Sequence, residues 1–403
     1  MFKKLVLCST PSGRPLAEKA SRELTMLFEK EHKKLEASQE SPLQQHQLNT
    51  LELVRESNLR QFGAPEFMLW PLDVKQFSSG EIKPVVKSSV RGADVFLFHH
   101  SYEPGMLPSD AARLFLAARD MQAVQEIYIK LAGERSVLEN DKIAEMCIDA
   151  LKKDCMASRV ILISPFFSNS RQDHRRGREG LTLRTQVRLF DCCGVDAYYT
   201  VDLHSQAAIG LSERHMDNVH PTQYLVERFK KLYPDFKSKF VLVSPDAGAT
   251  KRIHYIADKF IDLPIIAGDK ERDYARQNAV DRVNVGGTGL ARDKYALIID
   301  DMVDTAGSIS VLMRALRENE GIRGAVVMCS HALLSGPAIE RLDALYSEGL
   351  LLKLIATDSV PRPSSFAEAH PWYDEISLAP VIARYIYNMY MNEPVEDVYL
   401  KDD

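Results

Sequence analysis

Between Tyr295 and Leu316 the chain reads YALIIDDMVDTAGSISVLMRAL, and this run leaves little choice of fold. The apolar stretch Ala296–Ile299 is too short for a helix and is apolar on both faces. That is the mark of a strand buried in a parallel sheet between helical layers. Two adjacent acids, Asp300 and Asp301, end the strand, and Asp304, Thr305, Ala306, Gly307 and Ser308 lead into a helix expected over 308–318. Small residues at a helix N-terminus leave backbone N–H groups pointing outward, and the helix dipole favours an anion there. Gly307 lets the backbone approach a phosphate closely, while Thr305 and Ser308 add hydroxyl donors. The paired carboxylates suit two vicinal sugar hydroxyls or their metal. A phosphate cup beside a diol clamp describes a ribose 5-phosphate site. A capped helix with two solvated acids is the plainer alternative. The position at the carboxyl end of a buried strand, where ligands collect in such sheets, favours the site.

The same alternation recurs along the chain. Strands are expected at 4–8, 94–99, 159–163, 197–201, 240–243, 264–266, 295–299, 324–328 and 352–356, with amphipathic helices at 14–28, 182–192, 222–231, 249–260, 308–318 and 335–347. This is an α/β chain of mainly parallel sheets flanked by helices. Two charged stretches, 29–62 and 104–156, read as insertions with little core-forming material. With 51 basic and 56 acidic residues in 403, the net charge of -5 gives no reason to expect nucleic acid or an anionic membrane surface. The 6 cysteines have no CxxC spacing, which suits reduced thiols in a cytoplasmic protein. The apolar run at 5–9 is too short for a secretory leader and reads as a first strand.

Four further loops follow strands. In SPDAGATKR (244–252) Asp246 precedes a small-residue helix start, as a metal or diol ligand or a helix cap. In VDLHS (201–205) Asp202 and His204 stand at strand spacing and are expected on one face, where metal contact is open beside a structural role. SPFFSNSRQDHRRGREG (164–180) places Arg171, His174, Arg175, Arg176 and Arg178 after a buried strand, a cluster able to clamp a triphosphate or a solvated charge run. Residues 267–283 read as a polar loop whose Lys270 and Arg272 could close on a transferring phosphoryl group. GGTG at 286–289 reads as a hairpin turn rather than a phosphate loop.

Taken in order, FSSGEI (77–82), SVRGADVFL (89–97), RQD (171–173), VDLH (201–204), SPDAGATKR (244–252), DKER (269–272), DDMVDTAGS (300–308) and HALLSGPAIERL (331–342) resemble the ribose-phosphate diphosphokinases, the phosphoribosyl diphosphate (PRPP) synthetases. The resemblance implies two phosphoribosyltransferase-like domains: residues 1–220 with 376–403 on the ATP side, and 221–375 on the ribose 5-phosphate side. It implies a magnesium-dependent transfer of the β,γ-diphosphate of ATP to the 1-hydroxyl of ribose 5-phosphate, giving PRPP and AMP for nucleotide biosynthesis. By the same likeness His204 and Asp246 serve Mg2+, and Arg171, Gln172 and Asp173 contact ATP. Phe77 and Glu81 contact adenine from a neighbouring subunit, implying a homo-oligomer built on dimers, with a hexamer as one form. Asp300 and Asp301 hold the ribose hydroxyls, residues Asp304, Thr305, Ala306, Gly307 and Ser308 cradle the 5-phosphate, and Lys270 and Arg272 are the catalytic cations. The sequence departs from the family after RQD, where HRRGREGLT is one residue short and carries Gly180 in place of proline, and after DLH, where SQAAIGL replaces a Gln-rich turn. Two other readings stay open: a larger acceptor such as ADP-ribose, and a non-catalytic regulatory homologue.

Overall fold

The computed structural model describes residues 4–38, 41–78, 81–102, 137–174, 180–244, 250–272, 280–285 and 289–395. Clustering of contacts divides the chain into two compact units, Met1–Val219 with Leu378–Asp403, and His220–Ser377. Among the described residues no helix is long and apolar enough to cross a membrane.

The first unit contains β1 (Leu5–Ser9), a hairpin of β2 (Leu72–Gln76) and β3 (Ile82–Val86), then β4 (Asp94–Phe98), β5 (Arg159–Ile163), β6 (Ala197–Val201) and β7 (His215–Val219). Its five-stranded sheet has the order β1-β4-β5-β6-β7, and every pairing is parallel. All residues of β1, β4 and β6 are buried, as sheet faces covered on both sides require. Val6, Cys8, Val95, Leu97, Val160 and Leu162 pack against helices α3 (Val137–Asp149) and α4 (Thr182–Cys193). On the β6 strand, Tyr199 instead meets the C-terminal helix Ala379–Met391, its ring 4.6 Å from that of Tyr385. The Tyr385 hydroxyl also donates to Asp217 at 2.9 Å, which fixes the returning segment to this unit.

Residues 29–62 differ from expectation. Helix α1 (Arg14–Ala37) runs on through the first part, and α2 (Pro42–Phe62) fills the rest. The α2 start is well specified: Gln44 N–H donates to Ser41 Oγ at 3.2 Å, and Ser41 N–H donates back to the Gln44 amide oxygen at 3.0 Å. Leu48, Leu51 and Val54 are buried at three-residue spacing, so a few well-placed apolar side chains suffice to dock a helix that is otherwise polar. The second charged stretch also contributes to the core. Residues 103–136 lie outside the described residues, but α3 and the π-helical turn after it bury Ala144, Cys147, Ile148 and Leu151.

That docking has a pH consequence. Burial, and next the repulsion of Asp141, push the Glu145 carboxyl up to about 7 from 4.5, against the opposing pull of Gln186 and Lys142. The unfolded chain then loses this proton before the folded one does. Glu145 therefore adds stability that is complete below about pH 4.5 and declines as the pH rises to about 7. Thermal unfolding of Glu145→Gln is expected to lack this part of the slope; an unchanged slope would contradict the assignment.

The second unit contains β8 (Phe240–Ser244), β9 (Ile265–Arg272), β10 (Val280–Val285), β11 (Tyr295–Val303), β12 (Gly324–Ala332), β13 (Leu351–Thr357) and β14 (Tyr373–Ile376). They form one sheet, β10-β9-β8-β11-β12-β13-β14, parallel throughout except for the β9–β10 pair. From β8 the chain moves outward to β9, then returns to the other side of β8 as β11. The strand order reverses there, and in open parallel sheets ligands bind at the carboxyl ends of such strands.

Two loop expectations change here. Residues 265–272 and 280–285 are paired strands, with Lys270 opposite Val283 and Arg272 opposite Val280. The GGTG segment, most of which lies outside the described residues, joins β10 to β11. Those strands are separated by β9 and β8, so it is not a hairpin turn.

Candidate active site

Strand β11 does not stop before its acids. Parallel pairing continues as Asp300 opposite Cys329, Met302 opposite His331 and Val303 opposite Ala332, so Asp300 and Asp301 lie inside the strand. Each is half-buried, and each accepts from the following backbone N–H: Asp301 N to Asp300 Oδ1 at 3.0 Å, Met302 N to Asp301 Oδ1 at 2.9 Å. Those bonds draw both carboxylates toward the carboxyl edge of the sheet.

The turn beyond is sharper than its glycine suggests. The left-handed residue is Ala306, at φ 56 and ψ 9, and it opens helix α7 (Gly307–Glu320). An alanine there costs roughly 1–2 kcal/mol, so its surroundings must impose it. They do. Leu334 N–H donates to Val303 O at 3.1 Å and Ser335 N–H to Asp304 O at 2.9 Å. Arg341, on helix α8 (Ala338–Ser347), donates through Nη1 to Thr305 O at 2.8 Å. No side chain caps the start of α7, which leaves its first N–H groups facing the turn from Asp304 to Ser308.

Gly307 also makes room for a neighbouring side chain. A Cβ at this position would lie 3.2 Å from Arg341 Nη1, so the missing side chain makes room for a guanidinium beside the turn. Arg341 therefore places a cation beside the Asp304–Ser308 turn. Its sequence position, in the middle of an ordinary amphipathic helix, carries no signal of that role; only the packing of α8 on the turn supplies it.

In the first unit, Arg171, Gln172 and Asp173 follow β5. Arg171 is exposed, while Gln172 N–H donates to Asn169 O at 2.8 Å and its side-chain oxygen accepts from Thr182 Oγ1 at 3.0 Å. Burial raises the Asp173 carboxyl pKa, but hydrogen bonds from Ser205 and His174 outweigh it and hold the carboxyl below its ordinary range. The Ser205 bond ties this loop to the one carrying His204, so the expected ATP loop and the expected metal ligand are neighbours at the same sheet edge. Asp202 and His204 do not share a face. Strand β6 ends at Val201, and Asp202 turns to φ 43, which breaks the two-residue alternation. Asp202 is buried and His204 is exposed.

Phe77 and Glu81 close the β2–β3 hairpin, joined by a bond from Phe77 N–H to Glu81 O at 2.8 Å, and half of the Phe77 surface is exposed at 50%. Asp246 lies outside the described residues, as do Arg175, Arg176 and Arg178. Among the described residues no cluster of three potential ligands could hold a metal by itself.

A family model for the N-terminal domain of ribose phosphate pyrophosphokinase matches residues 5–194. The ribose-phosphate pyrophosphokinase of Campylobacter jejuni is 30% identical over 330 residues, covering 81% of this chain and 90% of that protein. The chain belongs to the ribose-phosphate pyrophosphokinase family. Ribose-phosphate pyrophosphokinase 1 of Arabidopsis thaliana, a chloroplastic protein, is likewise 30% identical over 336 residues, covering 82% of this chain and 72% of that one. In fold the chain is similar to the crystal structure of phosphoribosylpyrophosphate synthetase from Mycobacterium smegmatis, with a TM-score of 0.69 at 23% identity over 97% of this chain and 100% of that one.

Proposed function

We infer that this chain is a ribose-phosphate diphosphokinase, transferring the β,γ-diphosphate of ATP to the 1-hydroxyl of ribose 5-phosphate. The observation that carries the reading is the uncapped start of α7 behind the Ala306 turn, beside the two acids of β11. Residues Asp304 to Ser308 take the 5-phosphate on backbone N–H groups, and Asp300 and Asp301 accept the ribose hydroxyls. Arg171, Gln172 and Asp173 contact ATP, with Phe77 and Glu81 of a neighbouring subunit against the adenine in a homo-oligomer. The 1-hydroxyl attacks the β-phosphorus in line, and AMP leaves. Such a reaction asks the protein for positioning and charge neutralisation more than for covalent work.

His204 and Asp246 are the proposed protein contacts of Mg2+. One imidazole and one carboxylate form a sparse set, and it fits an ion that keeps water and binds mostly through substrate phosphates. Bound magnesium would neutralise the phosphate charge that this chain's few cations leave uncovered.

The decisive assay mixes protein, Mg2+, ATP and ribose 5-phosphate and follows AMP against PRPP. Equal formation supports the reading, whereas AMP that appears only with another acceptor rejects it. Within this reading Arg341 adds a charge-assisted contact to the 5-phosphate. Its replacement by alanine is expected to raise the KM for ribose 5-phosphate about tenfold, or ~1.4 kcal/mol, with kcat nearly unchanged. A fall in kcat at constant KM would place Arg341 elsewhere in the reaction.

A further inference from the structure

Behind the β5 loop lies a buried, hydrogen-bonded histidine–aspartate pair that the proposed reaction does not use. His99 leaves the carboxyl end of β4, and its Nε2 sits 2.9 Å from Asp141 Oδ1 on α3. The two side chains are 0% and 2% exposed. The other Asp141 oxygen, Oδ2, accepts from Ser168 Oγ at 2.6 Å. At the far side of the imidazole, the Thr10 and Ser12 hydroxyls lie 3.3 and 3.4 Å from Nδ1. Segments from β1, β4, α3 and the exit of β5 therefore meet at one carboxylate and one imidazole, all within the first unit.

Full burial keeps this pair away from any substrate, so it acts through what it holds. What it holds is Ser168, the start of the loop that carries Arg171. From there Asn169 turns to φ 60, and Gln172 N–H closes the turn on Asn169 O at 2.8 Å. Burying such a polar pair is a poor device for stability alone, because apolar side chains of the same volume do as well or better. A fully satisfied polar network instead fixes a single geometry.

We propose that Asp141 and His99 are positioning residues for nucleotide binding, a clamp that sets the loop bearing Arg171, Gln172 and Asp173. The proposal rests on the reading of that loop as the ATP contact. It gives α3, the end of a stretch that looks like an insertion, a part in the family's reaction.

The test compares Asp141→Asn, Ser168→Ala, the double variant His99→Gln/Asp141→Asn, and Arg171→Ala as a control. Asp141→Asn is expected to raise the KM for ATP about tenfold, leaving kcat and the KM for ribose 5-phosphate within about twofold. The double variant, an uncharged pair that keeps hydrogen bonds, restores most of the ATP affinity. Ser168→Ala removes only the tether and raises the same KM about threefold, which carries the test if Asp141→Asn fails to fold. An unchanged KM for ATP in folded Asp141→Asn and Ser168→Ala, with Arg171→Ala impaired, overturns the clamp alone. If Arg171→Ala itself leaves ATP binding intact, the loop assignment falls and the clamp with it.

Discussion

Lys270→Ala is expected to lower kcat by about 10²–10³-fold, ~2.7–4 kcal/mol, with the KM values for ATP and ribose 5-phosphate moved by no more than about twofold. The backbone register gives the reason for looking at this residue. β9 pairs with β8 only as far as Ala267 opposite Ser244, where β8 ends. Residues 268–272 continue beyond that edge, paired on their other side with β10. At ~3.3 Å per residue, the ribbon carries Lys270 roughly 10 Å past the end of β8. The carboxyl edge it passes is the one at which the Asp300–Ser308 site lies. In the proposed reaction a cation at this position would meet charge as it develops on the transferring diphosphate, and would act on turnover rather than on ground-state affinity. Arg272→Ala should behave alike. Steady-state rates under saturating substrates decide the matter, and an unchanged kcat for Lys270→Ala removes it from the reaction.

The largest expected loss of stability lies in the first unit. Arg159, at the start of β5, holds Asp94 at the start of β4 through Nε at 3.0 Å and Nη2 at 2.5 Å, and Asp94 is fully buried. The Asp94 hydrogen bond raises the Arg159 pKa further, against the opposing effect of burial. Removing the guanidinium takes a two-point partner from a side chain buried in the core, and breaking a buried pair of this kind costs about 3–5 kcal/mol. Because Arg159 is itself 32% exposed, the lower end applies, and Arg159→Met should lose about 3 kcal/mol in denaturant unfolding. Asp94→Asn combined with Arg159→Met should recover most of that loss. A single variant with unaltered stability would show that water reaches Asp94 in the folded protein.

Legibility of the fold followed burial. The apolar run of β5 and the mostly apolar run of β6 mark those strands to within a residue, because strands covered on both faces are largely apolar. β7 (HMDNV), β10 (VDRVNV) and β14 (YDEI) gave no such signal. They are edge strands of their sheets, where only part of the surface is covered and polar residues are tolerated. The β2–β3 hairpin escaped for the same reason, since β2 (LDVKQ) is only half-buried. The proposed site could be read from the sequence where its residues are neighbours in the chain. Asp300 to Ser308 stand in one stretch, and so do Arg171 to Asp173. Arg341, and the pair His99 and Asp141, were not, since each matters only through neighbours 27 or more positions away.

By itself the sequence determined the layered α/β class and the family, and it supplied the loops to which the proposed chemistry is assigned, because apolar runs, glycines and acids act on their immediate neighbours. Tertiary structure alone decided that Ala306 rather than Gly307 takes the left-handed turn, that 265–272 and 280–285 are paired strands, and that an arginine from α8 stands beside the Asp304–Ser308 turn. Those outcomes depend on which segments pack together, and packing across long separations leaves no local pattern to read.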